Sequence, residues 1–361
     1  MPPRDETPRG TIIPFPIEAI RRPPAPAFVT RPIRPPRVSA RSRILLARIG
    51  LGTLVAAVLA GAVFMGAASL AARRRLSRPE PAQPVALRAS VPGSVNLLIA
   101  GLEADVAARS ERGALSDAVM LLHLDADRER AWLVSIPRDA WVSLPGHGDD
   151  RIDVAYALGG PRLLVGAFER LTHLRVDHLA VIDKSGIRRL TDGVGGVALS
   201  LDPPGRSTPE ARRGALALEL SGAMALEYVS ERHGLANGDV DHIRREHRYL
   251  RALLAQLRER GTLADPPALR DLAAALGTSM RVDPGLTPAA LRSLIDSTLR
   301  LRIEDVTFLT APVPRAAWPG GAVAVQPDEI GCAQLWDALA HDEMAAFVDS
   351  HPDLVSPAAS R

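Results

Sequence analysis

The sequence has almost no cysteine and almost no lysine. Cys332 is the only cysteine among 361 residues, which excludes an internal disulfide framework and a metal site built from several cysteines. Lys184 is the only lysine, so arginine supplies nearly all of the positive charge. Two catalytic signatures are also missing, the H-E-x-x-H zinc motif and the G-x-S-x-G nucleophile elbow. The sequence therefore gives little support for a zinc protease or a serine hydrolase.

The excess of positive charge is confined to the start of the chain. Residues 1–90 hold 15 basic and 4 acidic side chains, whereas the other residues hold 29 basic and 37 acidic ones. A nucleic-acid-binding domain carries a basic face on its folded part. The acidic body therefore argues against nucleic acid as a partner and against a role as a transcriptional regulator.

An uncharged segment follows the basic N-terminus. Residues 1–43 contain eleven prolines, a density that prevents helix or sheet from propagating and predicts a disordered tail. Residues 49–72 are 24 consecutive residues without a charged side chain. As a helix they extend ~36 Å, enough to cross a hydrocarbon core of ~30 Å. A buried helix of a soluble domain is the alternative, but such long uncharged helices are rare there, and we predict one transmembrane helix over 44–72.

The distribution of arginine predicts how this helix is oriented. Ten arginines precede the uncharged segment, and five lie in residues 73–90. The positive-inside rule then favours a cytoplasmic N-terminus and an extracytoplasmic body, held in the cell membrane by a single pass. We divide the rest of the chain into a linker over 73–93, a folded domain over 94–348 and a C-terminal tail over 349–361.

Apolar runs typical of strands alternate with helical patterns in the folded domain. This alternation predicts an α/β fold, a layered mixed sheet flanked by helices. The predicted strands are 95–102, 118–125, 131–137, 178–187, 196–202 and 306–313. The predicted helices are 161–174, 222–233, 243–260, 266–276 and 288–301.

Two clusters of polar side chains lie at the ends of the first three predicted strands. Glu103 and Asp117 each lie beside the end of a predicted strand, where α/β domains place ligands, and two converging carboxylates can hold a divalent cation. Arg138 and Asp139 follow a strand that stops at Pro137, and a guanidinium there suits a phosphate. The alternatives are ordinary loop acids and a surface ion pair worth at most ~1 kcal/mol.

A third polar cluster occupies residues 228–247. Arg232 closes one predicted helix, while His242, Arg244 and Arg245 lie near the start of the next. Such a run is usually a solvated, salt-bridged surface. The functional interpretation is an anion site that spans the two helices and uses the backbone donors of a helix N-terminus.

The ordered clusters together resemble the LytR-CpsA-Psr family of bacterial cell-envelope proteins, and the actinobacterial members in particular. The resemblance covers residues 94–254 and extends more loosely to 347. It is carried by NLLIAGLE, SDAVMLLHLD, LVSIPRDAWVSLPGHG, RIDVAYALGGP, VDHLAVID, LTDGVGGV, LSGAMALEYVSERHGLANGD and IRREHRYLRALL. It implies an α/β domain with an apolar cavity for a polyprenyl chain. It also implies a membrane-anchored ligase that uses Mg²⁺ to move a glycopolymer from a polyprenyl-pyrophosphate carrier to peptidoglycan.

The resemblance also assigns roles to individual residues. Asp117 matches the metal-binding aspartate, and Glu103 stands where an aspartate is usual. Arg138 and Asp139 match the IPRD motif of the family. Three further arginines also match family positions: Arg151, Arg232 and Arg245. We expect Arg138, Asp139, Arg232 and Arg245 to be catalytic, and Arg151 to join the three arginines in binding pyrophosphate.

Four positions depart from the family pattern. Leu115, Ser230, His242 and Asp105 stand where arginine is usual, and each lost charged hydrogen bond removes on the order of 1.5–3 kcal/mol. Arg244 and a protonated His242 are candidates to compensate in binding the pyrophosphate. The departures leave a second hypothesis open, a catalytically weakened member that acts as a polyprenyl-phosphate-binding scaffold or regulator of envelope assembly.

Overall fold

The computed structural model describes residues 86–103, 113–201, 216–232, 235, 238–262, 265–287, 290, 293–294, 301–312, 315–317 and 323–357. The predicted tail, transmembrane helix and most of the linker lie outside these residues, as does most of the predicted helix 288–301. Within the described part of the chain, no helix combines the length and the apolar character needed to cross a bilayer.

Twelve strands and seven α-helices are described. The strands are β1 (Val95–Leu102), β2 (Ser116–Leu124), β3 (Ala131–Ile136), β4 (Trp141–Leu144), β5 (Gly148–Arg151), β6 (His178–Asp183), β7 (Val197–Leu201), β8 (Leu216–Leu220), β9 (Met280–Val282), β10 (Val306–Thr310), β11 (Arg315–Ala317) and β12 (Val323–Val325). The helices are α1 (Val154–Thr172), α2 (Lys184–Gly193), α3 (Gly222–Ser230), α4 (Asp239–Glu259), α5 (Pro266–Leu276), α6 (Glu329–Ala340) and α7 (Met344–Ser350).

Six strands form a central mixed sheet in the order β10-β3-β2-β1-β6-β9. β2 pairs antiparallel with both β1 and β3, while β1 pairs parallel with β6 and β3 parallel with β10. The other strands form three hairpins, β4-β5, β7-β8 and β11-β12. The predicted α/β class with a mixed sheet is confirmed.

Both faces of the sheet are buried. Alternate side chains such as Leu98, Leu121 and Val134 pack with α1 and α6 on one face. Their neighbours Leu97 and Leu122 pack on the other face with side chains that include Leu254 of α4. Because both faces need apolar residues, these strands are nearly continuous apolar runs, which is why the sequence predicts them well.

The predicted strand 178–187 is too long. β6 ends at Asp183, whose carboxylate accepts a hydrogen bond from the Gly186 backbone N–H at 2.8 Å and so caps α2. The β4-β5 hairpin and β8 were not predicted. β5, Gly148–Arg151, is largely polar, so it lacks the apolar pattern by which a strand is recognised.

The packed domain extends beyond the boundary we expected at residue 348. Residues 349–357, expected to belong to a tail, include the end of α7 and a segment that returns to the sheet. Val355 forms a bridge with Leu309, and the Ser356 N–H donates to the Phe308 carbonyl at 2.9 Å. His247 accounts for the position of Ser356, because its Nδ1 lies 2.6 Å from the buried Ser356 hydroxyl.

Candidate functional site

Three strand ends meet at one edge of the sheet. Because β2 is antiparallel to β1 and β3, its first residues lie beside the last residues of both neighbours. Glu103 follows β1, Asp117 is the second residue of β2, and Arg138 comes two residues after β3. The expected convergence of these three side chains is therefore a direct result of strand order.

Arg138 joins the two carboxylates. Its Nη1 donates to Glu103 Oε1 at 3.0 Å and to Asp117 Oδ1 at 3.1 Å. The Arg138 backbone N–H donates to Asp239 Oδ2 at 3.1 Å, which ties the end of β3 to the start of α4. One nitrogen thus occupies the space between Glu103 and Asp117, where a cation shared by the two carboxylates would lie.

Arg232 reaches the same carboxylate from the loop between α3 and α4. Its Nη2 donates to Asp117 Oδ1 and, at 3.3 Å, to the Asp117 carbonyl. Its Nη1 donates to Asp239 Oδ1 at 2.9 Å. Arg138 and Arg232 therefore converge on Asp117.

Asp239 is a site residue that the sequence analysis missed. It is the first residue of α4, and its two oxygens bind the Arg138 backbone and the Arg232 guanidinium. The available signal was the acidic residue directly after Gly238, since acids favour the first turn of a helix. That signal predicts a helix start but not a contact with Arg138.

His242 is buried behind Arg232. Its Nε2 lies 3.0 Å from Arg232 Nη2. Glu246 Oε1 lies 3.3 Å from the same Nε2, and burial raises the pKa of the Glu246 carboxyl. His242 is buried and contacts Arg232, so it lies behind the arginine, and its expected role in binding the pyrophosphate stays a prediction.

Arg151 lies on the other side of Asp139. Its Nη1 donates to Asp139 Oδ1 at 3.3 Å, and its Nη2 lies 2.9 Å from Asp153 Oδ2. Burial raises the pKa of Asp139, with a further contribution from the negative charge of Asp239. Burial also raises the pKa of Asp153 to about 6. Asp153 is a second acidic residue that the sequence analysis missed.

The two adjacent arginines of α4 differ in their contacts. Arg244 is exposed and donates to Asp241 Oδ1 at 3.2 Å within its own helix. Arg245 donates to the Glu231 carbonyl at 3.4 Å and lies 5.8 Å from the centre of the Tyr228 ring. Arg245 therefore lies beside the loop that carries Arg232, whereas Arg244 is held on the helix surface.

Three of the four departures from the family pattern, Leu115, Ser230 and His242, lie among the described residues. Ser230 ends α3, two residues before Arg232, and the Leu115 carbonyl accepts a hydrogen bond from the Glu103 N–H at 3.0 Å. Asp105 lies outside the described residues. Arginines at Leu115 and Ser230 would add positive charge beside Asp117 and Arg232.

Carboxylates outnumber guanidiniums in the site. Each of the three arginines Arg138, Arg151 and Arg232 is paired with at least two acidic side chains. The five acids are Glu103, Asp117, Asp139, Asp153 and Asp239. A divalent cation would cancel this negative balance and remove the repulsion that a phosphate ester would otherwise meet.

The protein is an α/β domain built on a mixed sheet. The arginines and carboxylates at its strand ends form a candidate phosphate-binding edge. The chain belongs to the LytR_cpsA_psr family, whose model matches residues 63–341. The resemblance drawn from the sequence motifs is thereby confirmed.

Two curated relatives and two solved structures illustrate the similarity. The chain is 31% identical over 238 residues to the cell wall biosynthesis protein LcpA of Corynebacterium glutamicum. The aligned region covers 57% of this chain and 44% of LcpA. It is 28% identical over 208 residues to the polyisoprenyl-teichoic acid–peptidoglycan teichoic acid transferase TagT of Bacillus subtilis, 54% of this chain and 62% of TagT. The chain spans about half the length of LcpA and of the probable cell wall biosynthesis protein LcpB of the same organism.

The solved structures share the fold. TagT bound to LI-WTA superposes with a TM-score of 0.54 at 22% identity, covering 71% of this chain and 98% of that chain. A LytR-Csp2A-Psr enzyme from Actinomyces oris superposes with a TM-score of 0.52 at 21% identity, covering 72% and 96%.

Proposed function

We propose that this chain is a phosphotransferase-type ligase that moves a glycopolymer from a polyprenyl-pyrophosphate carrier to peptidoglycan. The observation that carries the proposal is the convergence of Arg138 and Arg232 on Asp117 at the edge of the sheet. Relatives in the family are named as teichoic acid–peptidoglycan transferases, and this geometry suits the same chemical class of reaction.

Arg138, Arg232 and Arg245 bind the pyrophosphate in this proposal, with Arg151 beside them. The acceptor hydroxyl of peptidoglycan attacks the phosphorus that carries the glycopolymer. The bond from that phosphorus to the bridging oxygen breaks, and polyprenyl monophosphate leaves. Phosphoryl transfer depends mainly on cations positioned around the oxygens, and the planar guanidinium group suits this purpose.

Asp117 and Glu103 would hold Mg²⁺. Their oxygens fit a hard divalent cation, because both already approach one positively charged nitrogen, Arg138 Nη1, within 3.1 Å. When bound, Mg²⁺ supplies positive charge that neutralises the pyrophosphate oxygens. In this proposal Arg138 then turns from the carboxylates toward the phosphate.

Asp139 is the proposed acceptor of the hydroxyl proton. Burial and the nearby Asp239 raise its pKa, which makes its carboxylate a stronger base than an exposed aspartate. Arg151 keeps the carboxylate oriented through its 3.3 Å hydrogen bond.

The proposed setting is the outer side of the cell membrane. The uncharged segment 49–72 would anchor the chain in lipid by a single pass, with the N-terminus in the cytoplasm. The partners are then the lipid-linked glycopolymer and peptidoglycan, with no nucleic acid.

The test is to incubate the full chain in detergent with a polyprenyl-pyrophosphate-linked disaccharide, peptidoglycan fragments and Mg²⁺. Mass spectrometry should detect polyprenyl monophosphate together with a phosphodiester-linked product. The Asp117→Asn variant serves as the control and should release neither. Wild-type protein that binds the lipid and leaves it unchanged would contradict the proposed transfer.

The second candidate function is the catalytically weakened scaffold or regulator. The observation that favours it is that Arg138, Arg151 and Arg232 are all paired with acids while Leu115 and Ser230 stand at family arginine positions. A persistent lipid adduct without transfer supports this candidate, whereas turnover by the wild-type chain excludes it.

A further inference from the structure

A second polar cluster lies at the opposite end of β2 from Asp117. His123, Asp125 and Asp342 each offer one atom, His123 Nε2 and one oxygen of each aspartate, and these atoms lie within 4.8 Å of one another. Asp117 and His123 are six residues apart on β2, so the cluster is about 20 Å from the candidate active site. The cluster joins the central sheet to the turn between α6 and α7.

The chemistry of the neighbours fixes the tautomer of His123. The Asn96 side-chain amide donates to the Arg175 carbonyl at 3.0 Å, so its oxygen is the atom that faces His123 Nδ1 at 2.7 Å. An amide oxygen only accepts, and Nδ1 therefore carries a proton. The lone pair of a neutral ring then lies on Nε2, directed at the two carboxylates.

His123 Nε2 faces only acceptors among the described residues. Asp342 Oδ1 lies at 3.0 Å and Asp125 Oδ1 at 3.6 Å from it. Two occupants would satisfy this arrangement: a second proton on the ring, or a cation bound between the nitrogen and the oxygens. The imidazole is 99% buried, so bulk water does not satisfy it.

The local charge favours a divalent cation over a proton. Electrostatic interactions link four charged groups here. They are the carboxylates of Asp125, Asp127 and Asp342 and the one guanidinium, that of Arg128. Arg128 itself donates to the carbonyls of Leu124 and Asp125, at 3.3 and 2.6 Å, rather than to a carboxylate. Three carboxylates and one guanidinium leave two negative charges, which a divalent cation neutralises and a single proton only halves.

The distances also suit a metal. Zinc binds imidazole nitrogen and carboxylate oxygen at ~2.0–2.2 Å, which places tetrahedral ligands ~3.3–3.6 Å apart. The two separations from His123 Nε2, 3.0 and 3.6 Å, are close to that spacing. A hydrogen bond from Nδ1–H to an oxygen is the usual support for a metal-binding histidine, and Asn96 supplies it.

We propose that His123, Asp125 and Asp342 form a binding site for a divalent transition metal such as Zn²⁺, separate from the candidate active site, with water completing the coordination. The nitrogen ligand selects a transition metal over Mg²⁺, which prefers oxygen. The bound metal would fasten the α6–α7 turn to β2, two parts of the chain separated by 219 positions.

The proposal is tested by titrating the chelator-treated full chain in detergent with Zn²⁺ at pH 7.5. Calorimetry should give a site with a micromolar or lower Kd. A hundredfold excess of Zn²⁺ over that Kd should raise the midpoint of thermal unfolding by about 5–10 °C. Millimolar Mg²⁺ should not compete for the site.

Two variants locate the metal. Asp342→Asn keeps an oxygen that accepts from the Ala126 N–H, and Asp125→Asn keeps one that accepts from Trp132 Nε1, so each conserves the local hydrogen bonds. Each should weaken Zn²⁺ binding at least a hundredfold. Asp283→Asn is the matched control, because Asp283 also contacts a histidine, His178 at 3.2 Å, but no second carboxylate from the described part of the chain joins that pair to form a three-residue cluster.

Absence of Zn²⁺ binding by the wild-type chain would overturn the proposal and leave the cluster a proton-bridged ion pair. Binding that survives both Asp342→Asn and Asp125→Asn would overturn it as well. Loss in Asp117→Asn alone would assign the metal to the candidate active site instead.

Discussion

The guanidinium of Arg232 donates to both the carboxylate and the backbone carbonyl of Asp117, 115 positions earlier in the chain. Asp117 is held at the start of a central strand, while Arg232 lies in the connection between two helices. The contact therefore fixes that connection against the sheet. It also places one positive charge where the proposed metal and pyrophosphate would meet.

Replacing Arg232 by lysine should lower kcat/KM about 10- to 100-fold. Lysine keeps the charge, but a single ammonium cannot reproduce a planar group that donates through separate nitrogens to Asp117 and Asp239. Losing one charged hydrogen bond accounts for ~1.5–3 kcal/mol. Steady-state transfer assays measure the change. Arg175→Lys, at a 57% exposed side chain, is the control and should retain wild-type rates.

The Asp239→Asn variant should also reduce transfer, by about tenfold. Asparagine can keep one acceptor, but it cannot serve both the Arg138 backbone and the Arg232 guanidinium as an anion does. Asp241→Asn is the matched control in the same first turn of α4, because Asp241 pairs with the exposed Arg244. Equal activities of the two variants would argue against a role for Asp239 in positioning the arginines.

The positions of Glu103, Asp117 and Arg138 were predictable because they depend on strand order alone. Apolar runs located β1, β2 and β3, and antiparallel pairing then brings their polar ends together. The contact of Asp239 with Arg138 was not predictable in this way. It depends on how the α3–α4 connection packs against the sheet, which no local pattern encodes.

The different roles of Arg244 and Arg245 follow from the orientation of α4. His242, Glu246 and Tyr249 are buried and recur at helical spacing, so they define its inward face. Arg245 lies beside that face, and Arg244 lies on the outer side. The sequence concealed this distinction, because the inward face contains a histidine and a glutamate that are typical of surfaces.

Arg245→Gln should weaken carrier binding about 10- to 100-fold, and Arg244→Gln should change it less than twofold. Among the described residues no carboxylate is paired with Arg245, so no acid competes with a phosphate for its guanidinium, whereas Arg244 is paired with Asp241. The Kd for a polyprenyl-pyrophosphate lipid, measured for both variants, provides the comparison. A larger loss in Arg244→Gln would reverse the assignment.

Restoring arginine at Ser230 distinguishes the ligase from the weakened scaffold. Ser230 ends α3 and is partly exposed, so an arginine there can extend toward the site without a cavity or an overpacked core. If the missing cations limit catalysis, Ser230→Arg should raise kcat about tenfold or more. Ser230→Lys tests for charge alone, and Ser230→Gln tests for length. An unchanged kcat in all three would show that the departure at this position does not limit turnover.

Removing Mg²⁺ from the candidate active site should abolish transfer and leave the arginines and carboxylates of that site paired with one another. The carboxylates then pair with Arg138 and Arg232, as they do in this structure, so chelation costs no buried unpaired charge. Activity should return on adding Mg²⁺. The Glu103→Gln variant should need a higher Mg²⁺ concentration for half-maximal activity. Full activity in the presence of a chelator would exclude the proposed cofactor.

His247 should make the protein less stable in mild acid. Its ring lies between the Ser135 and Ser356 hydroxyls, at 2.7 and 2.6 Å, and burial lowers its pKa to about 3. In the unfolded chain His247 has its ordinary pKa of ~6.5, so below that pH the unfolded chain binds a proton that the folded protein does not bind. The free energy of unfolding should therefore fall by ~1.4 kcal/mol for each unit of pH between about pH 6.5 and 3, and it should stay constant above that range. The raised pKa of Asp153 has the opposite effect, because this carboxyl gains a proton in the folded protein first as the pH falls. That contribution is the same in the wild type and in His247→Gln, so it cancels when the two are compared. Denaturant unfolding at pH 7 and 5 should therefore show a drop ~2 kcal/mol larger in the wild type than in His247→Gln, and equal drops would contradict a neutral buried histidine.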